Sequence, residues 1–215
     1  MAGNNGAKGK SLRVIGKPFR KVDAMAKCTG EARYADDIVF PKMLHTKILR
    51  SSVPHGRILK IDTSRAEQYP GVKAVLVGKD FPIPYGILPV SQDEHALAID
   101  KVRMVGDPVA AVAAVDEDVA TEAVDLIEVE YEPLPSISSI REALDNPENR
   151  IHEYGEVGNI HRRQVYEFGD VEAGFAEADE IREDITFYEG NTHLALEQHA
   201  SVAKFSRDGK LTLWS

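Results

Sequence analysis

Residues 101–135, "KVRMVGDPVAAVAAVDEDVATEAVDLIEVEYEPLP", decide the fold class. A glycine turn, an apolar run and a helix-like segment follow one another, an order shared with nucleotide-binding loops. A phosphate cradle needs several backbone N–H groups converging on the anion at a helix N-terminus. Here the turn holds one glycine, Gly106, followed by the negative Asp107 and by Pro108, which has no N–H to donate. Asp116, Glu117 and Asp118 suit the positive end of the next helix but would repel phosphate. The stretch therefore reads as scaffold. Residues 109–115 are continuously apolar, as in a strand buried on both faces. Val119, Ala120, Ala123, Val124 and Ile127 mark one face of a helix. Ile127, Val129 and Tyr131 alternate with Glu128, Glu130 and Glu132, as in a half-exposed strand, which Pro133 and Pro135 end.

Outward from this core the pattern continues. Residues 44–49, 58–61 and 72–78 read as strands. Asp62 or Thr63 caps a short helix that Pro70-Gly71 stops. "KDFPIPYGILPV" carries too many prolines to be anything but loop. From Ser136 to Gly169 the pattern weakens into a connector. Gly169-Asp170 then caps "VEAGFAEA", with Val171, Phe175 and Ala178 on one face. Ile181, Ile185 and Phe187 are spaced for a strand, and "ASVAKFSRDGKLTLWS" reads as a hairpin turning at Asp208-Gly209. Its second strand starts at Leu211 and the sequence stops at Ser215. The expectation is a piece of something larger, or a chain that relies on a partner.

The 215 residues can bury a substantial core. A net charge of −9, with lysines and arginines scattered, argues against a nucleic-acid partner. The single cysteine, Cys28, excludes an internal disulfide, a CxxC site and an all-cysteine iron–sulfur cluster within these residues. The opening "MAGNNGAKGKS" has no apolar core and is expected to be a disordered tail. No run approaches the ~20 apolar residues that span a bilayer, so the expectation is a cytoplasmic chain with no membrane partner.

Candidate chemistry is sparse. His193 and His199, if on a strand, are about 20 Å apart at ~3.3 Å per residue, too far to share a metal. His45, His55, His95, His152 and His161 have no close ligand partner in sequence. His193 with Glu197, at helical i,i+4 spacing, is the best acid–base pair. Both fall in a segment read as strand, however, and a structural histidine is the better reading. The acidic clusters "DEDVATE" and "EVEYE" suit solvated faces better than paired catalytic carboxylates. Ser51, Ser52 and His55 share "RSSVPHGR" without a G-x-S-x-G elbow. Cys28 has no activating neighbour.

Four segments taken in order carry a stronger signal: "DAMAKCTGEARYADDI", "MLHTKILRSSVPHGRILKIDTSRAEQYPGVKAVLVGKD", the stretch over 101–135, and "NTHLALEQHASVA". Together they resemble the N-terminal part of the molybdenum-binding large subunit of the xanthine oxidase (molybdenum hydroxylase) family. The resemblance implies an α+β fold: a tail over 1–17, an α/β hammerhead domain over 18–135, a connector over 136–169, and the truncated start of the first molybdopterin-binding domain over 170–215. It implies an oxidoreductase whose complete subunit holds molybdenum on a molybdopterin cytosine dinucleotide. Partner subunits would be an iron–sulfur small subunit and an FAD medium subunit, supplying [2Fe–2S], [4Fe–4S] and FAD centres. The remainder of the large subunit would be a further partner.

Within the family, "FPIPYGILPVSQDEHALAIDKVRMVGDPVAAVAA" resembles the 4-hydroxybenzoyl-CoA reductase branch. That implies an aromatic acyl-CoA substrate, ferredoxin as electron donor, and reductive dehydroxylation to benzoyl-CoA. Most of the family runs in the opposite sense, hydroxylating a carbon with oxygen from water. Two other readings are a hydroxylase acting on an aldehyde, purine or other heterocycle, and a non-catalytic hammerhead assembly module. The family's cofactor glycines and its glutamate base do not occur in these 215 residues. "FGD" at Phe168 and "AGF" at Ala173 are not that glycine motif. No catalytic, cofactor-binding or metal residue is therefore assigned to this chain, and the isolated chain is expected to be inactive.

Overall fold

The computed structural model describes residues 12–86, 92–155, 157–192 and 194–215, so most of the expected tail lies outside the described residues. Residues 41–186 form one compact unit; residues up to Phe40 and from Phe187 onward form another.

The larger unit is built on two three-stranded sheets. Strands β1 (His45–Arg50), β2 (Gly56–Asp62), β3 (Val72–Val77), β4 (Lys101–Val102), β5 (Pro108–Ala114) and β6 (Glu128–Pro133) sort into the orders β1-β5-β3 and β4-β2-β6. Every pairing within these two sheets is antiparallel. β5 lies between β1 and β3, so both its edges are hydrogen-bonded, and Val109, Ala110, Val112 and Ala114 are fully buried. The expected two-sided burial is present, but in an antiparallel ladder rather than the parallel one such a run usually marks.

Helix α3 (Glu117–Val124) packs against this sheet. Its N-cap Asp116 accepts a hydrogen bond from Val119 N, satisfying one of the free donors of the first turn. Ala120, Ala123 and Val124 are buried, and Ile127 follows them into the core. Ala110 and Ala123 are small enough to let strand and helix backbones approach, while Val112 and Val124 fill the space beside them. Helix α2 (Ser64–Glu67) is shorter than the sequence pattern suggests. Thr63 sits at its N-cap without a side-chain bond, and the Asp62 carboxylate accepts from Ser64 N at 3.2 Å. Antiparallel sheets with helices packed alongside make the class α+β, as expected.

The turn before β5 settles what its glycine does. Gly106 adopts φ +96°, and its N–H donates to the Ser51 carbonyl at 2.8 Å. The Gly106 carbonyl accepts from Arg50 at 2.8 Å. Both backbone groups are used within the protein, so the turn is a splice to the β1–β2 loop and not an anion cradle.

Beyond β6 the chain forms α4 (Ile140–Asp145) and α5 (Val171–Glu177). The N-cap Asp170 of α5 accepts from Ala173 N at 3.0 Å, the cap expected from sequence. The strand expected around Ile181, Ile185 and Phe187 is absent: these residues have no ladder partner among the described residues, and Ile185 is 96% exposed. Alternation alone cannot make a strand where no edge is offered to pair with it.

In the smaller unit, α1 (Ala24–Thr29) ends at Gly30, whose φ of +77° gives the helix a left-handed cap. Strands β7 (Val202–Phe205) and β8 (Leu211–Trp214) form the expected hairpin, with Gly209 at φ +82° in its turn. The Phe40 ring lies 5.4 Å from that of Trp214, and the Lys204 ammonium sits 4.8 Å from the centre of the Phe40 ring, a cation–π geometry.

Two outcomes are expected. A Cβ at Gly78 would lie 2.4 Å from the Ala98 carbonyl oxygen, so Gly78→Ala should lower stability by about 2 kcal/mol in urea unfolding. Trp214 is the sole tryptophan, so Phe40→Ala should shift intrinsic fluorescence to longer wavelength as the indole gains water.

Candidate functional site

The densest polar chemistry in the larger unit lies where the segment leaving β3 meets residues 150–161. After Asp80 the chain makes a long excursion, joined across its neck by Tyr85 N to Glu94 O at 2.7 Å and Glu94 N to Tyr85 O at 3.0 Å. Residues 87–91, in the loop that carried the 4-hydroxybenzoyl-CoA reductase resemblance, lie outside the described residues. The return leg is fixed by Ala98 N to Pro108 O at 2.7 Å and by Ile58 N to Asp100 O at 2.8 Å. It ends in β4, which pairs with β2 at Gly56 and Arg57.

Asn159 organises the opposing segment. Its side-chain oxygen accepts from Ile151 N at 2.9 Å, and its amide donates to the Asn149 carbonyl at 3.0 Å. The same amide reaches the carbonyls of Ala143 and Asn146 at 3.4 Å each. One side chain thus satisfies backbone groups that have no ladder of their own. Gly158 adopts φ +56°, and an added Cβ would lie 2.7 Å from the Pro147 side chain. Tyr154 stacks edge to face with His152 and with His161, at centroid distances of 5.2 and 5.1 Å.

Ion pairs join the two segments. Glu153 accepts from Lys101, and from Arg103 Nη2 at 2.7 Å. Arg103 Nε donates to the Ile151 carbonyl at 3.1 Å, and Lys101 Nζ to the Arg150 carbonyl at 3.3 Å. His152 Nδ1 lies 3.0 Å from an Asp93 carboxylate oxygen, within hydrogen-bond distance. Burial alone would raise the Glu153 carboxyl. The hydrogen bonds from Lys101 and Arg103, with their charges, outweigh it and hold the group at about 2. A groove of about 800 Å³ runs along this junction, bordered among others by Arg57, Tyr85, His95, Met104 and Glu153.

The other candidates are placed elsewhere or already engaged. His193 lies outside the described residues, and Glu197 and His199 are exposed. Cys28 is exposed. Ser51 Oγ donates to the Val53 carbonyl at 2.8 Å, while His55 Nδ1 donates to the Pro135 carbonyl at 2.6 Å. Serine and histidine are separately committed, and the structure shows no bond between them. His55 is buried, a packing role that its position in a Pro-Gly loop did not reveal. Among the described residues no three His, Cys, Asp or Glu side chains converge as a metal site would require. No helix among them is long and apolar enough to cross a membrane.

Known proteins share this architecture. Residues 29–135 match the family model of the aldehyde oxidase and xanthine dehydrogenase α/β hammerhead domain, and residues 151–215 match that of a molybdopterin cofactor-binding domain. The chain belongs to the xanthine oxidase family, as an N-terminal part of its molybdopterin-binding subunit. It is 40% identical over 205 residues to the nicotinate dehydrogenase large molybdopterin subunit of Eubacterium barkeri, covering 95% of this chain and 48% of that protein. It is also 40% identical over 205 residues to a probable xanthine dehydrogenase subunit of Bacillus subtilis, covering 94% and 27%. Among solved structures it resembles the Cu,Mo-CO dehydrogenase, with a TM-score of 0.77 and 32% identity over 92% of this chain and 27% of that one. The aldehyde oxidoreductase of Desulfovibrio gigas gives a TM-score of 0.73 and 28% identity, covering 89% and 22%. The chain thus spans less than half the length of these relatives.

Family membership implies molybdopterin, and the donors present can be tested against it. A pterin bearing phosphate needs an enclosed set of backbone and side-chain donors. The described residues from 161 to 199, in the stretch that matches the cofactor-binding domain, are all exposed. They do not form such a set, and no cofactor contact is assigned to them.

The junction makes a pH prediction. The folded-state pKa of Glu153 lies below its ordinary 4.5, so its contribution is present above that value and is lost as pH falls toward about 2. The Glu153 side chain is 65% exposed, so solvent screening keeps the contribution below ~1 kcal/mol. Glu153→Gln should therefore be less stable than the parent at pH 7, and the gap should close across that acidic window in denaturant titrations.

Proposed function

We propose that this chain is the supporting N-terminal part of a molybdenum hydroxylase subunit that oxidises a heteroaromatic ring. The single observation behind this choice is the 40% identity to a nicotinate dehydrogenase subunit and to a probable xanthine dehydrogenase subunit, each over about 95% of the chain. In this reaction type a ring C–H is replaced by C–OH, with oxygen from water, and two electrons and two protons leave. The direction is opposite to reductive dehydroxylation. The 4-hydroxybenzoyl-CoA reductase reading rested on one loop, whereas the similarity to these dehydrogenases extends over nearly the whole chain, so we prefer the hydroxylase. An acyl-CoA substrate and a ferredoxin donor are set aside with it.

The remaining assignments are part of the same proposal. Molybdenum on a molybdopterin cytosine dinucleotide would supply the two-electron chemistry, held by the complete subunit. An iron–sulfur subunit and an FAD subunit would carry electrons away, in the cytoplasm. Residues 18–135 would act as the hammerhead support, 136–169 as a connector whose later part already falls within the cofactor-domain match over 151–215, and 170–215 as the continuation of that domain. No residue of this chain would touch the reacting atoms.

The test is to assay the full-length subunit with its partners on nicotinate, xanthine, an aldehyde and 4-hydroxybenzoyl-CoA, with molybdenum measured in parallel. Turnover of a heteroaromatic substrate with about one molybdenum per subunit is expected, and none for the isolated 215 residues. Benzoyl-CoA formation from 4-hydroxybenzoyl-CoA with reduced ferredoxin would overturn the substrate reading. Tightly held molybdenum in the isolated chain would overturn the supporting role.

A further inference from the structure

We propose that Lys101, Arg103 and Glu153, with Asp93 and His152 beside them, form a salt-sensitive lock between the hammerhead domain and the beginning of the cofactor-domain sequence. Asp93, Lys101 and Arg103 fall within residues 29–135, and His152 and Glu153 fall within residues 151–215. The lock therefore bridges two regions that match separate domain families. It holds whichever substrate the complete enzyme takes.

The pairs are unevenly buried. The Lys101 side chain is 11% exposed and that of Arg103 25%, while Glu153 is 65% exposed. The two cations are set into the hammerhead framework, and the carboxylate is brought to them by the later loop. Removing the carboxylate leaves the Lys101 ammonium largely desolvated, with the Arg150 carbonyl as its remaining acceptor among the described residues. The Arg103 side chain loses its charged partner but keeps the Ile151 carbonyl.

The loop that supplies Glu153 is itself held in place. Asn159 ties Ile151 N to the carbonyls of Ala143, Asn146 and Asn149, so the backbone two residues before Glu153 is braced against the end of α4. Gly155 adopts φ +112°, and an added Cβ there would lie 2.7 Å from the Ile160 carbonyl oxygen, which closes the loop on itself. The charged contacts that hold this loop to the excursion are screened by salt at the exposed Glu153 end: the Debye length falls from ~10 Å at 0.1 M to ~3 Å at 1 M. The core around β5 is apolar and is not weakened in this way.

Amide hydrogen exchange on the full-length subunit tests the lock without reading turnover. Glu153→Gln should accelerate exchange at residues 151–155 and 157–159 about threefold, with β5 amides unchanged. The parent should show the same local acceleration between ~0.1 and ~1 M NaCl. Glu128→Gln, which breaks the exposed Arg65–Glu128 pair on β6, should leave these amides as they are. Unchanged exchange at 151–155 and 157–159 in Glu153→Gln, or in the parent across the salt series, would overturn the lock. If Glu153→Gln does not fold, the salt series on the parent decides.

Discussion

The structure depends on β5 having no free side. Its edges are taken by β1 and β3, α3 packs against it, and Val109, Ala110, Val112 and Ala114 have no exposed surface. A strand in that position can carry no charge and little bulk. Its sequence, PVAAVAA, obeys both limits. The alanines do more than avoid clashes. They bring Ala123 of α3 into the same buried cluster as Ala110, with Ala66 of α2 beside them. The strand's ends are fixed as well, because Gly106 is bonded to Ser51 just before it and Asp116 caps α3 just after it.

From that centre outward the character of the interactions changes. The β2–β6 pairing places Lys60 opposite Glu130 and Arg57 opposite Glu132, and Arg65 reaches Glu128. The acidic alternation of β6 is therefore matched by cations on neighbouring elements, and it needs no ligand to account for it. Such exposed pairs each contribute little stability, about 0–1 kcal/mol, but like charges placed directly opposite would oppose the register. Apolar packing decides that the sheets form, and charge helps to decide how the strands align.

What can be read from sequence follows the same division. β5, α3 and β6 are legible because each has a clear period: a continuous apolar run, a helical face from Ala120 to Ile127, and strict alternation from Ile127 to Tyr131. The caps Asp116 and Asp170 are legible because the rule that places them is local. The order β1-β5-β3 is not, since partner choice among apolar strands is decided by packing that no local pattern records. The spacing of Ile181, Ile185 and Phe187 shows the converse. The apolar period is there, yet a strand needs an edge, and these residues have none among the described residues.

The junction is hidden for a further reason. Glu153 is one acid among 35 acidic residues, and its partners lie about fifty residues earlier. Asn159 looks like an ordinary loop asparagine until its carbonyl partners, ten to sixteen residues back, are brought to it. The available signal is weaker: glycines at 155 and 158 beside an asparagine in a stretch without period, which points to a tight loop but not to what it grips. This separation has a physical consequence. An apolar core that tolerates only small residues leaves sequence change little room, whereas a junction held by side-chain ions can be strengthened or loosened by single substitutions. Apolar packing in the support and charge at the Glu153 junction therefore respond differently to the same change in salt.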